Sequence, residues 1–243
     1  MIALFTDFGL EGPYVGQVKA VLAQEAPGVA VIDLFADAPS GAPELGAYLL
    51  AAHAAWFPAG TIFLAVVDPG VGGKRDAVAL EADGRWYVGP DNGLLALATR
   101  RAGEARCRII APDGRRLWPS FHGRDLFAPA AARLARGDHA LGPEVAAQRL
   151  DRADWPDDLG QIVYIDHFGN AMTGLRASAL GDGARLRVGA HSLARARTFS
   201  DVAPGAAFWY VNANDLVEIA VNRGRADVEL GLALGAAIEI AAA

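Results

Sequence analysis

Cysteine is almost absent. Cys107 is the only one in 243 residues, which excludes a disulfide framework and a cysteine-based metal cluster. It lies in an alternating, strand-like stretch and reads as inert. Basic runs are missing and the net charge is −6. That balance argues against a nucleic-acid or anionic-membrane surface and is compatible with a cationic small ligand. No uninterrupted apolar run is long enough to span a membrane. No charged segment followed by an apolar one precedes the first strand, so the reading is a soluble, cytoplasmic protein. The histidines and carboxylates show no metal-ligand spacing such as His-Glu-x-x-His, and no catalytic metal is expected. Internal repeats and low-complexity tracts are lacking too.

What is present is a large apolar fraction, 53%, enough for a sizeable core, and one stretch of abrupt contrast. Ile62 to Val67 are six apolar residues, rich in β-branched types and closed by turn signals, which predicts a strand buried on both faces. Asp68, Pro69 and Gly70 follow at once, then Gly72, Gly73, Lys74 and Arg75. A carboxylate at the lip of a buried strand is costly unless something uses it, and in open α/β sheets that lip is where ligands sit. The loop is not a P-loop, which would need Gly at 68 and Ser or Thr at 75, nor a dinucleotide fingerprint, which would need Gly at 75. By itself the stretch is equally a tight turn with a surface ion pair.

Around it the chain alternates. Ile2 to Phe5 reads as a strand. Gly12-Pro13 opens a helix with Val15, Val18, Leu22 and Ala26 on its apolar face, stopped by Pro27-Gly28. Val29 to Phe35 is a second strand. Pro43 to Phe57 is a second helix, with Leu45, Leu49, Ala52 and Trp56 on one side. The fold class is therefore α/β, with a mostly parallel sheet and packed helices. Ala77 to Ala82 and Arg85 to Val88, joined by Asp83-Gly84, form a hairpin. Asp91 or Asn92 is positioned to cap a helix ending at Arg101. Arg106 to Ile110 is a further strand, and a helix spans about Leu126 to Arg136. The chain turns polar between Asp151 and Gly160, which places a boundary between a 1–152 α/β domain and a 160–243 domain. In the latter, Gln161 to Ile165, Arg185 to Val188, Ala207 to Val211, Leu216 to Val221 and Ala226 to Leu230 read as short strands. They predict a smaller all-β barrel or sandwich.

Polar clusters recur at strand ends: Thr6-Asp7, Asp68 with Arg75, Phe121-His122-Gly123-Arg124-Asp125, and Asp166-His167-Phe168-Gly169-Asn170. Together they fit a ligand crevice. Each has a structural account as well. Asp7 and Asp125 can cap the helices that follow them, Arg124 can be a surface charge, and an isolated histidine such as His122 more often has a structural role. His53 reads as a packed helix residue; His139 and His191 read as loop residues facing solvent.

In order along the chain stand Thr6-Asp7-Phe8-Gly9 with Tyr14-Val15-Gly16, Val67-Asp68-Pro69-Gly70-Val71-Gly72 with Arg75, Gly89-Pro90-Asp91-Asn92-Gly93, Phe121 to Asp125, and Asp166 to Asn170. In this set the sequence resembles the S-adenosylmethionine hydroxide adenosyltransferases, water-using relatives of the fluorinase and chlorinase enzymes, from Ile2 to about Leu232. The resemblance implies hydrolysis of S-adenosylmethionine to adenosine and L-methionine by attack of activated water on ribose C5′. No cofactor is implied beyond that substrate. It also implies a homotrimer whose active sites join the first domain of one subunit to the second domain of its neighbour.

On the same resemblance Asp68, Arg75 and His122 are the water-activating set, with either Asp68 or His122 as the proton acceptor. Asp7 would bind the ribose hydroxyls, Asp166 the methionine ammonium, and Phe168 and Asn170 would lie near the substrate. Val221 would meet adenine through its backbone, within a stretch, Glu218 to Arg223, that contributes mainly backbone groups. Phe199 is either a stacking partner or a core aromatic. Where the family has Asn-Ser-x-Gly, this chain has Asn212-Ala213-Asn214-Asp215; the family's side-chain contact to the methionine carboxylate has no counterpart here, and a backbone amide near Ala213 could serve in its place. The fluorinase has Tyr in place of Asp68 and a halide-contacting Ser in place of Gly123, and no histidine at 122; a carboxylate there repels halide and favours water. Two alternatives stand beside hydrolysis: a halide-using adenosyltransferase, and a catalytically idle adenosine or S-adenosylmethionine binder suggested by the change at 213–215.

Overall fold

Ile2–Thr6 (β1) is buried along its whole length, and the chain is built outward from it. The computed structural model describes residues 1–181 and 183–241, and the chain divides into two compact units, Met1–Arg152 and Ala153–Ala243.

In the first unit β1 is followed by α1 (Tyr14–Glu25), β2 (Val31–Phe35), α2 (Pro43–Ala54), β3 (Ile62–Val66), β4 (Ala77–Ala82), β5 (Arg85–Pro90), α3 (Ala96–Arg101), β6 (Ala105–Ile109), α4 (Ala128–Ala135) and β7 (Glu144–Val145). The seven strands form one sheet in the order β2-β1-β3-β5-β4-β6-β7. β2, β1, β3 and β5 are mutually parallel, and two antiparallel steps bring β6 back to the same direction, so five of the seven run one way. Alternate side chains serve opposite faces. Ile2, Leu4, Ile62, Leu64 and Val66 share a core with Val18 and Leu22 of α1 and with Ala131 and Leu134 of α4. On the other face Phe5 meets Phe35, and Phe63 meets Phe57 and Tyr87. Burying Ile62, Phe63 and Leu64 contributes about 1.5–3 kcal/mol each, which anchors the strand that ends in Asp68.

The hairpin at Asp83-Gly84 is present, with φ of +47° and +72° at the two turn residues, the left-handed pair such a turn requires. The second helix ends earlier than its apolar pattern predicts. Pro58 disfavours helix at the residue before it, and the last turn tightens through Trp56 N–H to His53 O and Phe57 N–H to Ala54 O. Phe57 therefore takes the core position against Phe63, while Trp56 is 69% exposed. His53 packs edge-on against Phe35 and bonds Leu49 O through Nδ1, and burial holds its pKa below the ordinary value.

The second unit contains β8 (Leu159–Ile165), β9 (Ala171–Arg176), β10 (Arg185–Val188), β11 (His191–Leu193), β12 (Ala207–Val211), β13 (Leu216–Val221), α5 (Ala226–Glu229) and β14 (Glu239–Ala241). They make two antiparallel sheets, β12-β13-β9-β8 and β11-β10-β14, around a core that includes Ile162, Leu175, Leu186, Trp209, Ile219 and Ile238. Ala226 to Leu230 alternates like a strand but forms one helical turn, with Leu230 N–H donating to Ala226 O. Only Ala226 of that turn is buried, and Val228 is 70% exposed; five alternating residues fit a turn that buries one side chain as well as a strand that buries two. β9, β11 and β14 carry too little apolar alternation to have been anticipated. No helix among the described residues is long and apolar enough to cross a membrane.

Candidate active site

β3 delivers Asp68 to the carboxyl edge of the first sheet. Past Val67 the chain leaves the sheet through successive turns, Val71 N–H to Asp68 O and Gly73 N–H to Gly70 O. Gly72 has φ +78°, and a Cβ on it would lie 2.6 Å from Pro119 O. Only glycine lets this loop lie against the segment that leads to His122. The loop returns Arg75 onto Asp68. Arg75 Nε is 3.1 Å from both carboxylate oxygens, and Nη2 also pairs with Oδ2. The side chains are 11% and 4% exposed, so this is a desolvated, charge-assisted fork rather than a surface ion pair. The guanidinium also lies over the Phe127 ring.

Arg75 Nη2 reaches His122 Nδ1 at 3.1 Å. Arginine only donates, so Nδ1 is the acceptor and the neutral imidazole carries its proton on Nε2. Burial, then the charge of Arg75, holds the His122 pKa below 6.5 against the pull of Asp68 and Asp125. His122 immediately precedes a π-helical turn, Gly123–Phe127, that leads into α4; such turns often mark functional positions. Asp125 accepts from Trp118 N–H and pairs with Arg124, which reaches Gln17 of α1. Burial raises the Asp125 pKa, but these donors outweigh it and the carboxylate sits below its usual range. Neither Asp125 nor Asp7 caps a helix through its side chain.

Asp7, at the lip of β1, accepts from Gly41 N–H at 2.9 Å. Burial raises its pKa against that bond and its own backbone N–H, and the charge of Asp68 adds to the rise. Phe121 meets both Phe8 and Tyr14 edge-to-face, and Phe8 and Tyr14 are tilted against each other. A Cβ at Gly123 would lie 2.7 Å from Phe8 Cζ. Asn92 does not cap α3, whose N-terminus has no side-chain cap; its amide goes to Val67 O instead.

The second unit holds a pocket of about 510 Å³ lined by Asp166, Phe168, Asn170, Phe199, Tyr210, Val221, Arg223 and Gly224. Asp166 and Asn170 close the β8–β9 turn. The Asn170 backbone N–H and Nδ2 donate to the two Asp166 oxygens at 2.8 and 3.0 Å, which fixes the carboxylate. Phe168 is 70% exposed. Phe199 is edge-on to both Phe208 and Tyr210. Ala213 is not among the lining residues; it sits exposed in the β12–β13 turn. In that turn Asn212 Oδ1 accepts from Asn214 N–H and Leu216 N–H, and Asp215 has φ +60°. Aspartate tolerates this left-handed conformation better than most residues, so the turn keeps a glycine-like backbone without glycine.

Two residues go beyond the sequence reading. Glu218 lies directly across from Tyr210 in the β12–β13 register and is 2% exposed. It accepts from Tyr210 Oη at 2.6 Å and Asn212 Nδ2 at 2.7 Å. Burial raises its pKa against both donors, and burial and Glu218 together raise that of Tyr210. The Glu218 side chain thus ties Tyr210 of β12 to Asn212 of the β12–β13 turn. The signal was a lone acid inside Leu-Val-Glu-Ile-Ala-Val, uninterpretable until its cross-strand partner is known. Among the described residues no group of three or more His, Cys, Asp or Glu is placed to hold a metal ion.

A carboxylate–guanidinium–imidazole cluster at the strand lips of an open α/β sheet is the arrangement of a small-molecule enzyme. Models of the SAM hydroxide adenosyltransferase N-terminal and C-terminal domains match residues 2–142 and 160–239, and the chain belongs to that family. A Thermus thermophilus protein named (R)-S-adenosyl-L-methionine hydrolase is 43% identical over 98% of this chain and 98% of its own length. A Nocardia brasiliensis protein named fluorinase is more distant, 25% identical over 99% of this chain and 96% of its own. The crystal structure of a conserved protein from Thermotoga maritima superposes with a TM-score of 0.89 at 32% identity, covering all of both chains.

Proposed function

We propose that the protein hydrolyses S-adenosylmethionine to adenosine and L-methionine, without metal or further cofactor, in the cytoplasm. The observation that carries this reading is the Asp68–Arg75–His122 cluster. Arg75 occupies the acceptor nitrogen of His122, which leaves Asp68 as the proton acceptor and the His122 Nε2–H as a donor that orients water. Asp68 Oδ1 takes a single contact from Arg75 and keeps an acceptor site for the water. Asp68 takes the proton as the new bond forms. The water oxygen bonds to C5′, the C5′–S bond breaks, and its electron pair stays on sulfur. The leaving group is a neutral thioether and needs no acid. The demand on the site is to present a partly desolvated nucleophile in line.

In this reading Asp7 accepts from the ribose hydroxyls and Asp166 holds the methionine ammonium. Asn170 Oδ1, Phe168, Phe199 and the Val221 backbone receive adenine, and the amide at Ala213 meets the methionine carboxylate. Asp68 and the crowding of Gly123 by Phe8 weigh against halide as nucleophile. In the same reading, as the family resemblance implies, the protein is a homotrimer whose sites take the water-activating cluster from one subunit and the pocket residues from its neighbour. The test is incubation of the pure protein with S-adenosylmethionine and identification of products by mass. Adenosine and methionine are expected, and Asp68→Ala is expected to lower kcat by about 10²–10⁴-fold. Tight binding without turnover, or 5′-chloro-5′-deoxyadenosine as the main product in chloride, would refute hydrolysis.

A further inference from the structure

Gly89-Pro90-Asp91-Asn92-Gly93 has no part in the chemistry above, yet it touches both ends of the loop that carries Asp68 and Arg75. That loop contains three glycines, which lose the most conformational freedom on ordering, so its ends need fixing. At one end Asn92 Nδ2 donates to Val67 O at 2.8 Å. This carbonyl belongs to the same rigid peptide plane as the Asp68 N–H, so holding it holds the backbone from which Asp68 projects. Asn92 is itself fixed, its Oδ1 accepting from Leu94 N–H at 3.2 Å. At the other end Asp91 N–H donates to Asp76 O at 3.0 Å, one residue past Arg75. Arg149 bridges the carboxylates of Asp76 and Asp91 at 2.5 and 3.1 Å, and Arg152 adds a second contact to Asp91. Gly89 brings this turn against β3: a Cβ there would lie 2.1 Å from Ala65 O, so no other residue allows the approach.

We propose that Asn92 is a positioning residue for the Asp68–Arg75 pair, with Asp91 and Arg149 fixing the far end of the same loop. Its effect on rate rests on the hydrolase reading; its effect on geometry does not. Asn92→Asp keeps the acceptor for Leu94 N–H and removes the donor to Val67 O, and Asn92→Ala removes both. In each, kcat for S-adenosylmethionine is expected to fall about 10- to 100-fold with KM within about twofold of wild type, the signature of a misplaced reacting group. An independent readout is the NMR titration of His122. The charges acting on it are those of Arg75, Asp68 and Asp125, and burial with Arg75 keeps it below 6.5; loosening the loop should move it up toward that value. A folded Asn92→Asp protein whose kcat is unchanged, or whose loss lies wholly in KM with His122 titrating as in wild type, would overturn the proposal. If wild type fails to turn over S-adenosylmethionine, the hydrolase reading fails by itself, and the His122 titration still decides whether Asn92 sets the geometry.

Discussion

His122 ties the electrostatics of the site to pH. Its Nδ1 accepts a hydrogen bond from Arg75, and protonation would replace that bond with repulsion between two cations. Activity is therefore expected to decline as pH falls through a value below 6.5, and His122→Asn should remove that acid limb of the kcat profile. The linked stability has the same sign. His122 and His53 both titrate below their ordinary value in the fold, so their contribution is complete above about pH 6.5 and is lost as pH falls through the folded-state values. Thermal melts of wild type against His122→Asn, taken downward from about pH 8 to about pH 5, should show the His122 part of this loss as a shrinking difference between the two proteins, because the raised carboxyls of Asp7 and Glu218 act with the opposite sign in both; a constant difference would contradict the neutral-imidazole assignment. Gly123 is the second telling residue. Gly123→Ser places a side chain 2.7 Å from Phe8 Cζ and 3.5 Å from Phe121 Cε2. The expected outcome is a destabilisation of about 1–3 kcal/mol from overpacking and no chlorinated nucleoside by mass in chloride. A gain of that product would show that one residue separates the two chemistries.

At the scale of elements, the site depends on two loops that lie closer than side chains would permit. Gly72→Ala must relieve a 2.6 Å approach to Pro119 O at a φ of +78°. It should cost upwards of about 1 kcal/mol in Tm-derived stability and lower kcat by separating Arg75 from His122; unchanged kinetics would mean the loops are not held by this contact. Legibility in the sequence follows the same physics. The strands of the first unit were readable because buried parallel strands carry unbroken apolar runs, as Ile62 to Val67 does, and Asp68 was conspicuous because it breaks one. Local competition was not readable: Trp56 fits the helical period, but Pro58 ends the helix early and Phe57 takes the core position. Asn92 looked like a cap because its type favours caps, yet its partner, Val67 O, lies 25 residues away in sequence. Glu218 and Tyr210 became interpretable only through cross-strand register. Arg75 and His122 are 47 residues apart, and no spacing rule joins them; their association came from the family resemblance, and the structure gives it a distance.

At the scale of the whole molecule, the proposed scheme draws on both units. The first unit carries the nucleophile-activating cluster and no adenine platform in the proposed scheme; the second carries the aromatic and acidic pocket and no water-activating group. If each active site joins the first unit of one subunit to the second unit of the next, a cyclic homotrimer is closed and all its sites are complete. Sedimentation should then give a particle of three 25.4-kDa chains. Complementation is the sharper measurement. Asp68→Ala disables the first unit and Asp166→Ala the second, and each homotrimer alone should be nearly inactive. Coexpressed in equal amounts, the two chains assemble at random, and a site is intact where an Asp166→Ala subunit supplies its first unit and an Asp68→Ala neighbour supplies its second. About a quarter of all sites in the coexpressed population meet that condition in a closed ring, so the population should recover about a quarter of wild-type activity per chain. Recovery must also track subunit mixing, appearing on coexpression and not on brief blending of preformed trimers. Mixed trimers that stay at the average of the two residual activities would sink the shared-site proposal while leaving the hydrolytic chemistry intact.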